Sequence, residues 1–167
     1  HSTACPPSGT TPPNIGFNGH RFGAEFWIDL GHPEAAEYTN RVLMHLVTKY
    51  NIDGLHLDRI RYPEFTASNQ TPSAGTNIGY NQRSVDRFNQ HYGTTGVPAP
   101  SDALWKQWRR DQVTNFVRRI YLEAIALKPQ LKMSAALIAF GGIGSTEASW
   151  NSAEAYWRVY QDWRAWT

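Results

Sequence analysis

The sequence predicts an α/β fold, and three observations carry that expectation. Short apolar, aromatic-rich runs recur along the chain, each is followed by a stretch whose apolar residues return at helical spacing, and turn residues separate the two kinds of segment. Strands that alternate with helices imply parallel strand–helix–strand units with right-handed crossovers.

Residues 1–18 carry Pro6, Pro7, Pro12 and Pro13 among Ser, Thr and Gly, so residues 1–23 read as a linker-like segment ahead of one domain over 24–167. Ala24–Leu30, AEFWIDL, reads as a buried strand that Gly31 breaks. Pro33 with Glu34 behind it opens a helix whose inner face is Ala36, Leu43, Leu46, Val47 and Tyr50, and Asn51 stops it. Ile52–Ile60, IDGLHLDRI, is the second strand, with Leu55 and Leu57 on one side and His56 and Asp58 on the other. The polar stretch Thr66–Asn81 is longer than an ordinary connection, as functional loops are, and leads to a short helix near Ser84–Tyr92. Ser101 or Asp102 can cap a long helix with the stripe Leu104, Trp108, Val113, Phe116, Val117, Ile120, Ala124 and Leu127, which Pro129 closes. Leu131–Phe140 is the third strand, Gly141-Gly142 a loop, and Ser152–Trp166 a last helix with Tyr156, Val159, Trp163 and Trp166 inward.

Three parallel strands leave two open edges, which such sheets normally do not show. The expected architecture is therefore a partial (β/α)8 barrel of about three βα units, truncated at both ends, since a whole one takes about 250 residues. The competing reading is a small three-stranded α/β domain complete in itself. A start at His1 rather than Met fits a chain that was processed, tagged or cut from something longer.

Composition narrows the function classes. The 167 residues, 41% hydrophobic, suffice for one core. Charged residues make up 18%, and 16 Lys+Arg against 14 Asp+Glu leave +2, which weighs against disorder and against electrostatic nucleic-acid binding. No run approaches the roughly 18 apolar residues of a membrane helix, and no signal-peptide series is present. The single Cys5 excludes an internal disulfide and a cysteine metal site. A phosphate-cradling glycine loop and a Gly-x-Ser-x-Gly turn are both missing.

The sharpest feature is DGLHLDRIRYP, Asp53 to Pro63. Alternation puts His56 and Asp58 on one strand face, with Asp58 near the carboxyl end, where α/β proteins keep their active sites. Arg61 beside it favours the carboxylate form that a nucleophile needs; the bland reading is an Asp–Arg pair that orders the strand end. Asp29 ends the preceding strand before Gly31-His32-Pro33, and could join Asp58 as the second carboxylate of a glycoside-cleaving pair or simply cap free backbone N–H groups.

The segments AEFWIDLGHPEAAEYTNRVLMHLVTKYNIDGLHLDRIRYP, WKQWRRDQVTNFVRRIYLEAIALKPQLKMSAALIAFG and YQDWRAWT resemble the glycosyl-hydrolase-like family 10 proteins of bacteria, from about Glu25 to the end. The resemblance implies a (β/α)8 barrel core, an extracellular or periplasmic setting, and Asp58 where related sugar hydrolases place a catalytic carboxylate. It further implies strands before Glu25 and after YQDWRAWT, so the acid partner falls to Glu64, to Glu147 or to a strand outside this chain.

The expected substrate is a polysaccharide or oligosaccharide such as a cell-wall glycan. Asp58, Asp29 and Glu64 are the catalytic candidates, and His56, Arg61, Tyr62, His32, Tyr80 and Phe140 the substrate-binding ones. Aromatic rings wall sugar sites because a pyranose face stacks on them, which also brings in Phe65. Trp105, Trp157, Trp163 and Trp166 read as packing, Trp108 as either, and Trp150 as a weak platform; His45 and His91 read as surface or packing. No cofactor is expected. A metal hydrolase is the enzyme rival, with His56, Asp58, His20, His32 and Asp29 as ligand-capable residues. The rival from another class is a glycan-binding or structural barrel piece without catalysis, and open sheet edges imply self-association.

Overall fold

A computed structural model of the chain describes residues 21–22, 25–63, 79–139 and 144–166, with side chains from Trp27 onward. Two two-residue strands, β1 (Arg21–Phe22) and β2 (Glu25–Phe26), pair antiparallel as a hairpin. Helix α1 is Pro33–Lys49, strand β3 is Gly54–Leu57, α2 is Gln82–Tyr92, α3 is Ala103–Leu127 and β4 is Lys132–Ala135. Two short helices, α4 (Glu147–Asn151) and α5 (Glu154–Trp157), and a 3-10 turn, Trp163–Trp166, follow.

The parallel sheet consists of β3 and β4, with Gly54 opposite Lys132, Leu55 opposite Met133, His56 opposite Ser134 and Leu57 opposite Ala135. Three parallel strands were expected, and the first is corrected. Glu25–Phe26 belongs to the hairpin, and from Trp27 to Leu30 the backbone makes no ladder, because Asp29 turns it: its carbonyl accepts from His32 N–H at 3.0 Å and its carboxylate from Gly31 N–H at 2.9 Å. The hairpin also puts Arg21 and Phe22 in a strand inside the expected linker.

One face of the sheet is covered. Leu55 and Leu57 are buried and Met133 and Ala135 half-buried against Val47 of α1 and Val113, Phe116, Ile120 and Ala124 of α3. The other face carries Gly54, His56, Lys132 and Ser134, all exposed. Period-two alternation sorts residues to the two faces, and the apolar half of each strand is the half that α1 and α3 cover. These helices are tied by Asn40 Nδ2 donating to Glu123 Oε2 at 2.7 Å and by Arg119 bridging Glu37 at 2.8 Å and Glu123 at 2.7 Å.

Helix starts obey their caps. Asp102 accepts from Trp105 N–H and Asn81 from Ser84 N–H, each at 2.9 Å, and Pro33 fills the first position of α1, where a missing N–H costs nothing. Gly93 closes α2 at φ 66°, a left-handed conformation that side chains resist. The stripe of α3 holds over its middle, where Trp108, Val113, Phe116, Ile120 and Ala124 are buried and Val117 packs against them. Its ends differ: Leu104 and Leu127 are exposed, Trp105 and Arg109 are inside as well, and Leu46 and Tyr50 around the end of α1 are exposed.

The expected last helix, Ser152–Trp166, is broken. Tyr160 takes φ 55°, and Gln161 behind it is fully buried between the ends of both strands. Its Nε2 donates to Ala136 O at 3.0 Å and Ile60 O at 3.3 Å, and its Oε1 accepts from Ile138 N–H at 2.8 Å. Tyr62 N–H adds a bond to Val159 O at 3.0 Å. The chain leaves the helix because these strand-end groups would otherwise be buried without partners. Trp150, expected as a platform, is buried with its indole N–H on Asp162 at 2.9 Å, and Trp157, expected as packing, is 51% exposed.

Beyond β4, Lys132 N–H bonds Asp53 O and Ala136 N–H bonds Leu57 O, so by alternation the backbone groups of Met133 and Ala135 point away from β3. A groove of about 420 Å³ along that side is lined by Leu57, Val117, Tyr121, Met133, Leu137 and Trp166.

Gln161→Leu strands two carbonyls and one amide at once. A loss on the order of 3 kcal/mol is expected in urea unfolding, against less than about 0.5 kcal/mol for a control at exposed Gln130.

Candidate functional site

Two carboxylates, Asp58 at the end of β3 and Asp29 in the turn ahead of α1, have opposite surroundings. Asp58 directly follows β3, is exposed, and by alternation shares the uncovered sheet face with His56. His56 Nδ1 lies 2.8 Å from Ser134 Oγ across the parallel pair. Directly after Asp58, Arg59 adopts φ 52°, a left-handed backbone rare for a residue with a side chain, and its carbonyl accepts from Arg61 N–H at 2.8 Å. Strain of that kind persists only where the surroundings impose it, and it gathers at functional positions. Here it turns Ile60 and Tyr62 into the core while the Arg59 and Arg61 guanidinium groups lie 6.0 and 5.7 Å from the Trp27 ring centre. Trp27 thus brings the 27–29 segment beside the end of β3.

Asp29 is the centre of a hydrogen-bond cluster. Its Oδ1 accepts from Gly31 N–H at 2.9 Å and from the Tyr62 hydroxyl at 2.8 Å; its Oδ2 accepts from Ser84 Oγ at 2.7 Å and from Asn81 Nδ2. A carboxylate offers about four acceptor positions, and all of them are filled. Gly31 is required at the turn, because a Cβ there would lie 2.7 Å from both Ser84 Oγ and Trp108.

Tyr62 is buried with its ring edge-on to Tyr160 at 5.5 Å, and Tyr80 is buried against Trp105 with its hydroxyl donating to Pro98 O at 2.9 Å. Neither ring has a face open to a sugar. The fully buried Arg109 sits 4.0 Å from the Tyr160 ring centre and 5.3 Å from that of Trp105, and Arg110 lies 3.9 Å from that of Tyr156. His32 precedes α1 with Nδ1 3.1 Å from Glu34. Glu147 opens α4 and pairs with Arg164 at 2.8 Å. Glu64, Phe65, Phe140 and His20 lie outside the described residues. Among the described residues no three of His, Cys, Asp and Glu converge as a metal site, and no helix is long and apolar enough to cross a membrane.

The structure thus brings Asp58, His56 and Ser134 to one exposed face and gathers Asp29, Tyr62, Asn81 and Ser84 into a separate, half-buried cluster. Ser134 and Gln161 escaped the sequence reading. Ser84 and Asn81 were legible only as a helix start.

A profile of the glycosyl hydrolase-like 10 family matches residues 14–167. The chain belongs to that family. The match begins about a dozen residues ahead of Glu25, taking in part of the expected linker. The chain is also 24% identical over 141 residues to "Glycosyl hydrolase YngK" of Bacillus subtilis (strain 168), an alignment covering 84% of this chain. It spans only 24% of that relative's length. No solved structure matches. Membership of a glycosyl hydrolase-like family supports a glycosidase-like role.

The filled and the open carboxylate should respond differently to loss of charge. Asp29→Asn turns an acceptor into a donor facing other donors and is expected to cost about 2 kcal/mol in urea unfolding, while Asp58→Asn stays within about 0.5 kcal/mol. Alkaline pH is a second test. Burial first, then the Asp29 charge, pushes the Tyr62 phenol well above the ordinary value of 10.0; burial pushes Tyr80 up to about 12 and raises Tyr160. A phenol whose folded pKa is raised keeps its proton longer in the folded state, so its contribution is fully present below about 10 and lost as pH rises through the folded values. Stability by urea titration is expected to fall above pH about 10, and to fall less steeply in Tyr62→Phe.

Proposed function

We propose that this chain is part of a glycosidase that hydrolyses O-glycosidic bonds of a bacterial polysaccharide or cell-wall glycan, with Asp58 as its catalytic carboxylate. The observation that carries this reading is the exposed Asp58 at the carboxyl end of β3, beside His56 and ahead of a strained Arg59. Glycoside hydrolysis uses one carboxylate as nucleophile or base and a second as acid. Asp29 has every acceptor position engaged, so its part is to hold the wall of the site. The second carboxylate then falls to Glu64, to Glu147 or to a residue outside this chain. In this reading β3 and β4 are consecutive strands of a larger (β/α)8 barrel, the uncovered face looks into its mouth, and the protein works outside the cytoplasm, where such glycans lie.

A non-catalytic glycan-binding role has one observation in its favour: among the described residues Asp58 is the carboxylate that the uncovered face carries. Among the described residues no strand pairs with the far edge of β4, which supports self-association; light scattering at rising concentration checks it, and a strictly monomeric protein would remove it.

The experiment is product analysis by mass spectrometry after incubation with cell-wall glycan strands, chitin oligosaccharides and α- and β-glucans. Release of shorter sugars is expected, falling at least about 100-fold in Asp58→Asn with the fold retained. Full turnover in folded Asp58→Asn would overturn the assignment. Saturable binding without cleavage, unchanged by that substitution, would select the binding role.

A further inference from the structure

His56 and Ser134 face each other directly across the parallel pair, Nδ1 to Oγ at 2.8 Å, from positions 78 residues apart in the chain. Both are exposed, on the face that neither α1 nor α3 covers. Among the described residues no hydrogen bond reaches Nε2 of the same ring. One nitrogen is therefore held by the protein and the other is offered outward.

A neutral imidazole has one donor and one acceptor nitrogen, and which is which is set by the bond that the held nitrogen makes. A serine hydroxyl can take either part, so two arrangements exist. In one, Ser134 donates to Nδ1 and the proton resides on Nε2; in the other, Nδ1–H donates to Ser134 and Nε2 is bare. The first keeps the tautomer that neutral imidazole intrinsically favours. We propose that Ser134 is a positioning residue that donates to His56 Nδ1 and thereby presents Nε2–H to an acceptor oxygen of a ligand on the open sheet face. The ligand part rests on the carbohydrate reading above; the tautomer part does not. Together with Asp58, an acceptor, the face then offers one donor and one acceptor to a hydroxyl-rich molecule. The charged neighbours are Asp58, two positions on from His56, and Lys132, two positions before Ser134.

The test is long-range proton–nitrogen correlation NMR of the chain labelled at its histidine nitrogens, at about pH 9, where the neutral ring is read. His56→Gln assigns the signal among the six histidines. The wild type is expected to show Nε2–H with Nδ1 as acceptor. Ser134→Ala should add a measurable Nδ1–H share to a ring in which Nε2–H still predominates, and Ser134→Thr, which keeps the hydroxyl and suits a strand, should remove it. A ring protonated at Nδ1 in the wild type, or a pattern that Ser134→Ala leaves unchanged, overturns the proposal. In glycan titration, Ser134→Ala is expected to weaken binding about fivefold, with Ser134→Thr near wild type. A shifted tautomer balance with affinity unaltered removes the positioning role. The NMR pattern persisting in a chain that neither binds nor cleaves any glycan sinks the carbohydrate reading and leaves Ser134's hold on His56 standing.

Discussion

The carboxylate of Asp29 is the constraint on which the arrangement of this chain depends. Four donors from three separate stretches meet on its two oxygens: Gly31 before α1, Tyr62 after β3, and Asn81 and Ser84 at the start of α2. Each of these groups would carry an unmet hydrogen-bonding need if half-buried alone. Bound to one anion they fix where α1 begins, where β3 ends and how α2 enters. The packing behind them obeys the same anchor. Gly31 lets the turn press against Ser84 and Trp108, and Trp108 stacks on Trp105 at 5.0 Å above Phe88 and Tyr80. An aromatic cluster of this size supplies the apolar burial that α2, with few apolar residues of its own, lacks.

A second set of polar groups closes the opposite side of the sheet end. The Gln161 amide satisfies Ile60, Ala136 and Ile138 as an extra strand would, at the cost of a left-handed Tyr160. Among the described residues the two non-glycine positions with positive φ are Arg59, just after β3, and Tyr160, just after α5. At Tyr160 the turn sets Gln161 between the strand ends, and its buried hydrogen bonds offset the distortion. Nearby, Arg109 and Arg110 lie over Tyr160 and Tyr156, so cation–ring contacts seat the tail against α3.

How much the sequence disclosed depends on how local each feature is. Caps and helix stops depend on a few adjacent residues, so Pro33, Asp102 and the α3 span were legible, as was the alternation that separates Leu55 and Leu57 from His56 and Asp58. Strand lengths were overread because an apolar run does not show where ladder partners stop, as at Ala24–Leu30 and Leu131–Phe140. The last helix failed for a nonlocal reason: Tyr156, Val159 and Trp163 keep helical spacing, but Gln161 answers to groups 23 to 101 residues away. Trp150 and Trp157 exchanged roles with it. Of the candidate site, Asp58 and His56 could be placed on one face from spacing alone, whereas Ser134 required the register of two strands, which no local pattern encodes.

The contrast between the two aspartates is what gives the sheet end a direction for chemistry. A carboxylate that already accepts four hydrogen bonds must break one before it can touch a substrate, and each such bond to a charged group is worth about 1.5–3 kcal/mol. At Asp29 that loss would also loosen the start of α2 and the turn into α1, so reaction and fold would oppose each other. Among the described residues no hydrogen bond ties the Asp58 carboxylate down: it is exposed, and the backbone after it is bent at Arg59. The two anions thus differ in what surrounds them, one holding three stretches of chain together and the other exposed. The separation comes from the order of elements, since the residue that precedes a helix finds free N–H groups and hydroxyls within reach, while the residue that ends a parallel strand faces open space. Two aspartates at the ends of successive strand-like segments thus acquire different work, the first because a helix comes next in the chain and the second because a strained turn does.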